Sequence, residues 1–553
     1  MSAHPRSPGL PSRGLGFGLD LRWGDAAGFD VDGAGRDRVG PALRAFLERR
    51  GARFDHAFFS WQPRGRARLR LDDYARAWDE LASALPPGVP VGLHHTALDL
   101  AALAPPPRAA LLDFTNALCE RYGLAWINED VGFWSVGGRP TPYPLPPRLD
   151  ALGLAACARN VRECQRGLAR PLVLEFPGFD ASVPFVDGSL DAYDFFRTLA
   201  EETGAPVALD VAHLLSWRWW RGHRGEALYD GLDRLPLEQA FEVHMSGCEL
   251  VGDRVVGCDD GRDDRRFLDA HHGRLLDEQL ELLGRLLPLC PNLRSVTFED
   301  PRLDGAGELD PGSRVSLERL EVATSGWRGS RGRDPAPPPL VAPPSAIEIG
   351  HAEPDAVALE AALEARIAPM RLALVRARAP RGTGTLADAF PRCVAGWRAT
   401  HPDDARLDAL FASFLASPAL SAWREQPGLV GGACLEACFA EFARAEALAP
   451  PEVCEEELLS VLLRALAVAP DPAFEPPPDV RRAPSGWFAV TRATPPVLHA
   501  ALDGRYVSGP ITPLVAAILA GEDPGDAPAV VCGRLVELGL LAPGTSQLEA
   551  LAR

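Results

Sequence analysis

At 553 residues the chain is long enough for about three or four domains, and all 57 of its basic residues are arginine. Without lysine it can run no Schiff-base chemistry and hold no nucleotide through a P-loop or kinase-type lysine, and arginine, always protonated, supplies neither acid nor base. A net charge of −18 argues against broad nucleic-acid contact, no apolar run spans a bilayer, and 11 unframed cysteines with no signal-peptide core point to a reducing cytoplasm.

Short apolar runs alternate with amphipathic stretches through the N-terminal part of the chain. The predicted strands are GFGLDL (16–21), RFDHAFF (53–59), VPVGLHH (89–95), LAWINE (124–129), PLVLEF (171–176), PVALDV (206–211), AFEVHM (240–245) and RSVTFE (294–299). Segments such as LDDYARAWDELASAL and HGRLLDEQLELLGRLL between them repeat apolar residues at helical spacing. Eight strands alternating with helices predict an α/β fold, a (β/α)8 TIM barrel of the xylose-isomerase-like kind over residues 14–322. The alternative is an open doubly wound sheet, but no GxGxxG follows the first strand. A Pro/Gly-rich linker is expected over 323–345, a mostly helical domain over 346–473 and a second linker over 474–486. Residues 487–553 read as a small winged-helix-like module: a strand WFAVTRA, then helices over TPPVLHAALDG, ITPLVAAILAG and APAVVCGRLVELGLL.

In a barrel, chemistry sits at the C-terminal ends of the strands. Here the third to eighth strands end in His94 and His95, Glu129 with Asp130, Glu175, Asp210, His244 and Glu299. The following loops add His213, His223, Asp269 and His271. Seven of the 12 histidines fall between 94 and 272. Taken singly, each is more often a surface or core residue than a ligand, but the set is a mixture of imidazole and carboxylate that suits iron, manganese or zinc. Asp210 and His244 are also the candidate catalytic residues. The segment SWRWWRGHRG (216–225) offers Trp217, Arg218 and Trp220 as a lid that grips an acidic or aromatic peptide; packing of its tryptophans on the barrel rim is an equal alternative.

The ordered motifs LHH (93–95), NEDVGFWS (128–135), YPLPP (143–147), LVLEFPG (172–178), ALDVAH (208–213), FEVHMSG (241–247), DAHHG (269–273) and TFED (297–300) resemble those of the multinuclear non-haem iron-dependent oxidative enzymes. These are barrel proteins related to the methanobactin-biosynthesis oxidase. The resemblance covers roughly residues 16–305. It implies His94, Glu129, Asp210, His244, Asp269, His271 and Glu299 as metal ligands, with His223 as an eighth; Asp210-x-x-His213 adds His213, and Glu175, Asp130 and His95 are possible additions. It further implies two or three iron ions, dioxygen as co-substrate, and oxidation of a ribosomally made precursor peptide at cysteine. The fused C-terminal domains would replace a separate helical partner protein and hold the leader peptide.

The chain departs from that pattern at several places. Asp130 stands where the family has histidine, Phe176 where it has asparagine, Ala212-His213 where it has two asparagines, and Cys248 where histidine is common. Three rivals therefore stand beside the oxidative reading. They are a divalent-metal sugar isomerase or epimerase, supported by Asp210-x-x-His213 but opposed by the missing lysine; a three-zinc endonuclease, opposed by the charge; and a non-catalytic peptide-binding barrel.

Overall fold

The computed structural model describes residues 13–19, 29–31, 37–39, 41–60, 71–104, 106–136, 139–179, 188–251, 266–304, 306–329, 356–377, 385–423, 434–468, 479–492, 494–522 and 529–542. Two compact units divide the chain, the first running to Ile367 and the second comprising chiefly Ala368–Arg553.

The first unit is a closed parallel barrel. Its strands are β1 (Gly14–Leu19), β2 (Ala57–Phe59), β3 (Val91–His95), β4 (Trp126–Asp130), β5 (Leu172–Glu175), β6 (Val207–Asp210), β7 (Ala240–Met245) and β8 (Ser295–Glu299). Each strand pairs with its neighbour in sequence, and β8 closes on β1 from Gly14↔Ser295 to Gly18↔Glu299. The alternation of strand and helix over this region thus closes as a (β/α)8 barrel. β2 to β8 are buried on both faces, as parallel strands between a filled interior and a helical shell must be. Glycines make room for the large inward side chains: a Cβ on Gly16 would sit 2.2 Å from the His56 ring, and one on Gly92 2.4 Å from Trp126.

Two antiparallel hairpins interrupt the alternation at the C-terminal mouth. One joins Phe133–Val136 to Arg139–Leu145 after β4, and the other joins Cys248–Val251 to Arg266–Asp269 after β7. The barrel ends on the helix Pro311–Gly329, which runs into the segment expected as linker from 323. The rest of that segment, 330–345, lies outside the described residues.

The second unit differs from expectation in two ways. First, its helical and C-terminal parts form one compact body. The helix Pro451–Val468 buries Leu459, Leu463 and Leu466 against Val480, Ala489 and Ala501 of a four-stranded antiparallel sheet. The sheet runs in order β9 (Val480–Ala483), β10 (Gly486–Val490), β11 (Val497–Leu502) and β12 (Arg505–Pro510). β9 therefore occupies part of the expected second linker. Second, the expected helix over 494–504 is a strand, so the module is not three helices behind one strand. Asp503 (φ 48°) and Gly504 (φ 74°) both take left-handed backbone and close β11 onto β12 in a two-residue hairpin. The helices Pro513–Ala520 and Ala529–Glu537 follow, and their Ile518, Leu519, Cys532 and Leu535 cover the other face of the sheet.

Candidate metal centre

Parallel pairing sets the strand ends at one height. His94 lies beside Asn128, Asp130 beside Glu175, and Asp210 beside His244. Because side chains alternate across a strand, these residues all turn into the barrel mouth. The result is three overlapping groups whose donor atoms lie within 4.8 Å of one another: His94, Asp130 and Glu175; His94, His244 and Glu299; and Glu175, Asp210, His244 and Glu299. Every member is buried.

Glu175 is the hub. Its Oε2 lies 2.9 Å from His94 Nε2 and 3.2 Å from His244 Nδ1, and it accepts from Asn128 Nδ2 at 3.0 Å. His244 Nδ1 also faces Glu299 at 3.8 Å. Asp210 caps the helix Val211–Trp220, with Oδ1 accepting from His213 N at 2.8 Å. The His213 ring then spans the site. Its Nδ1 donates to Phe176 O (2.7 Å) and lies 3.8 Å from Glu175, while Nε2 is 3.3 Å from Asp269 Oδ2. Asp269 and Asp300 hold His271 from either side at 2.7 Å. His271 (φ 44°) and Asp300 (φ 46°) both adopt left-handed backbone; such strain in residues other than glycine is a feature of sites that surroundings over-determine. Phe58 closes the floor, stacked on His94 at 5.2 Å and tilted against His244 at 5.0 Å.

The electrostatics of this cluster favour a cation. Burial opposes charging His94, yet Glu175 holds its pKa up to about 10. His213 and His244 are likewise buried and His271 is half-buried, and their carboxylate partners hold all three well above the usual imidazole range. Burial and the neighbouring Glu175 push Asp130 up to about 7, and burial pushes Asp210 up to about 6 against the pull of His213. Burial also drives Glu299 well above the carboxylate range. Without an ion, crowded carboxylates balance their charge by retaining protons on themselves and their imidazoles. Asp130 Oδ1 and Asp210 Oδ2 are buried with no hydrogen-bond partner among the described residues, which leaves acceptor capacity for an ion. Imidazole and carboxylate together match the donor preferences of iron, manganese and zinc. The residues therefore fit a metal.

Of the candidate ligands, the structure brings His94, Asp210, His213, His244, Asp269, His271 and Glu299 together, joined by Glu175 and Asp130. Two candidates stand apart. Glu129 points out of the barrel, where its carboxylate lies 3.0 Å from His95 Nδ1 and accepts from Leu98 N; His95 Nε2 lies 3.3 Å from Thr115 Oγ1. Glu129 and His95 are thus a buried pair behind the barrel wall, since each is one residue out of phase with the inward face. His223 is half-buried beyond the helix Val211–Trp220, where its N–H donates to Arg218 O. The expected lid is largely core. Trp217 packs on Phe179 at 4.6 Å and is 1 % exposed, and Arg218 is buried with its guanidinium donating to Ala227 O. Trp220 alone of the three is half-exposed. Sequence reasoning overlooked Asn128, Glu242 and Asp300. The first two share inward faces with Asp130 and His244 at two-residue spacing, a signal present in the chain.

Residues 73–301, which include every member of the cluster, match the family model described as RiPP precursor modification enzyme MbnB/TglH/ChrH. The chain is 27% identical over 165 residues to a UPF0276 protein of Paraburkholderia phytofirmans, covering 30% of this chain and 52% of the relative. It is 30% identical over 159 residues to a UPF0276 protein of Caulobacter vibrioides, covering 29% and 54%. It therefore spans about half the length of these curated relatives. Among solved structures, the xylose isomerase domain protein of Planctomyces limnophilus aligns with a TM-score of 0.34 at 12% identity, covering 57% of this chain and 98% of that one. The 3-keto-D-glucoside 4-epimerase YcjR of E. coli aligns with a TM-score of 0.30 at 14% identity, covering 57% and 99%. With its motifs in order along the matched span and its donor residues gathered at one barrel mouth, the chain is similar over residues 73–301 to the RiPP precursor modification enzymes MbnB/TglH/ChrH.

Proposed function

We propose that the chain is an iron- and dioxygen-dependent enzyme that oxidises a ribosomally synthesised precursor peptide, at a cysteine. The observation that carries this reading is the overlap of three buried donor groups through Glu175 and His244 within the family's matched span. His94, Asp130 and Glu175 would hold one ion and Asp210, His244 and Glu299, with Glu175 shared, a second, with His213 and His271 meeting at Asp269 beside them. When bound, redox-active iron supplies electron transfer and open coordination positions for a thiolate and for dioxygen. The chain's own side chains do the rest. The imidazoles of His94 and His244 give up protons to bind, the carboxylates balance the ion's charge, and Phe58 keeps water from the floor of the site. The electrons leaving the peptide are taken up by dioxygen.

The C-terminal unit, in this reading, recognises the precursor, with β9 or β12 at the sheet edge pairing with an extended leader segment. The net charge of the whole chain, −18, fits a protein that works on a peptide in the cytoplasm without nucleic acid. Anaerobic purification followed by elemental analysis tests the first step, with on the order of two or three irons per chain expected. Dioxygen consumption and a mass change in a cysteine-containing precursor peptide encoded beside the gene test the second, and both should be lost in His244→Ala. A chain that stays iron-free under iron-replete anaerobic expression would overturn the reading.

A further inference from the structure

Beneath the donor layer the barrel interior holds a second polar layer. Glu242 on β7 shares the inward face with His244, two residues on, and is fully buried. Trp126 Nε1 donates to its Oε2 at 3.2 Å, and Thr297 Oγ1 donates to its Oε1 at 2.5 Å. His56 Nε2 lies 2.8 Å from that same Thr297 hydroxyl and 3.8 Å from Glu242 Oε1. The layer reaches the site at one point: His244 Nε2 is 3.4 Å from Glu242 Oε2, while Nδ1 on the opposite side of the ring faces Glu175 and Glu299.

We propose that Glu242 is a positioning residue for the metal centre: it takes the Nε2–H of His244 and so fixes the tautomer and orientation that present Nδ1 to the ion. Asn128 Nδ2 lies 3.1 Å from the same nitrogen. As an N–H donor, however, it cannot accept that proton, and it donates to Glu175 at 3.0 Å. Glu242 is in turn held by Trp126 Nε1 and the Thr297 hydroxyl, whose hydrogen bonds run to Glu242 and His56 and to no member of the donor cluster. A ligating histidine whose second nitrogen donates to a carboxylate is both oriented and made more basic. This inference rests on the metal-centre reading above.

The test is an anaerobic Co(II) titration of the chelator-stripped full chain, followed by its ligand-field absorbance and compared among wild type, Glu242→Gln and Thr297→Val. Glu242→Gln keeps the shape and loses the charge. It should weaken Co(II) binding by about 10- to 100-fold and shift the ligand-field bands, with the circular dichroism unchanged. Thr297→Val, which removes a donor to Glu242 from a hydroxyl that bonds no candidate ligand, at a position beside His244 on the next strand, should move affinity in the same direction by less. A folded Glu242→Gln chain that binds Co(II) with wild-type affinity and bands overturns the positioning role and leaves the metal centre standing. If Glu242→Gln does not fold, wild-type affinity in Thr297→Val overturns it equally. Wild-type chain that takes up no Co(II) overturns the metal centre itself, and this inference with it.

Discussion

Glu175 belongs to two of the three donor groups and touches both of the imidazoles that link them. Its loss should therefore do more than the loss of a residue with one neighbour. Glu175→Gln is expected to lower metal stoichiometry and to weaken the metal that remains beyond the roughly 10- to 100-fold of an outer-shell change. Asp130→Asn, in one group only, should cost less; elemental analysis and metal titration of the two variants side by side would show the order. Away from the site, His499 makes a prediction of its own. It is buried on β11, with Nδ1 2.7 Å from Tyr506 Oη and 3.1 Å from Ser508 Oγ, and burial holds its pKa below the usual imidazole range. The unfolded chain then takes up this proton first. Stability from His499 is full above an unfolded value of about 6.5 and is lost as pH falls below it. Thermal unfolding of wild type should accordingly steepen in its pH dependence between about pH 7 and 5, and His499→Gln should flatten that slope.

Strand phase decides which residues meet. Along β4, Asn128 and Asp130 turn inward and Glu129 outward; along β3, His94 turns inward and His95 outward. The positions of these strands were legible in the sequence to within a few residues, because short apolar runs bounded by turn residues need only composition and spacing. Their phase was not. Both faces of a parallel barrel strand are apolar and buried, so no polar–apolar alternation marks which side faces the mouth. That is why the resemblance carried Glu129 into the ligand set and left Asp130 secondary, while the pairing geometry places them the other way round. The consequence is measurable. His95→Ala removes the partner of the buried Glu129 and should cost roughly 3 kcal/mol of stability, with metal content unchanged; a parallel loss of metal would put the outward pair back in the site. The misread helix over 494–504 has a different origin. Its apolar residues fit either period, and the deciding signal was the Asp503-Gly504 dipeptide, whose left-handed backbone makes a hairpin.

At the scale of the molecule, the two compact units rest on different sources of stability. The second is held by ordinary cores: an aromatic cluster of Phe390, Phe411, Phe414, Phe439 and Phe442, and a sheet covered by apolar side chains on both faces. The first instead concentrates buried and half-buried carboxylates and imidazoles at one end of its barrel, where Asp130, Glu175, Asp210, Asp269, Glu299 and Asp300 surround His94, His213, His244 and His271. A cation bound there replaces retained protons and acts only on the folded barrel, so mass action adds about 2.7 kcal/mol of stability at a free metal concentration 100 times the Kd. For a unit of this size that is a shift on the order of 5 °C. The lysine-free composition sharpens the point, because no side-chain ammonium is present to neutralise these acids in the metal's place. Calorimetry of metal-loaded and chelator-treated protein should therefore show two transitions, of which chelation lowers the barrel's and leaves that of residues 368–553 in place. Equal shifts of both transitions would show that metal acts on the whole chain, and no shift of either would place the stability of the barrel mouth in its protons alone.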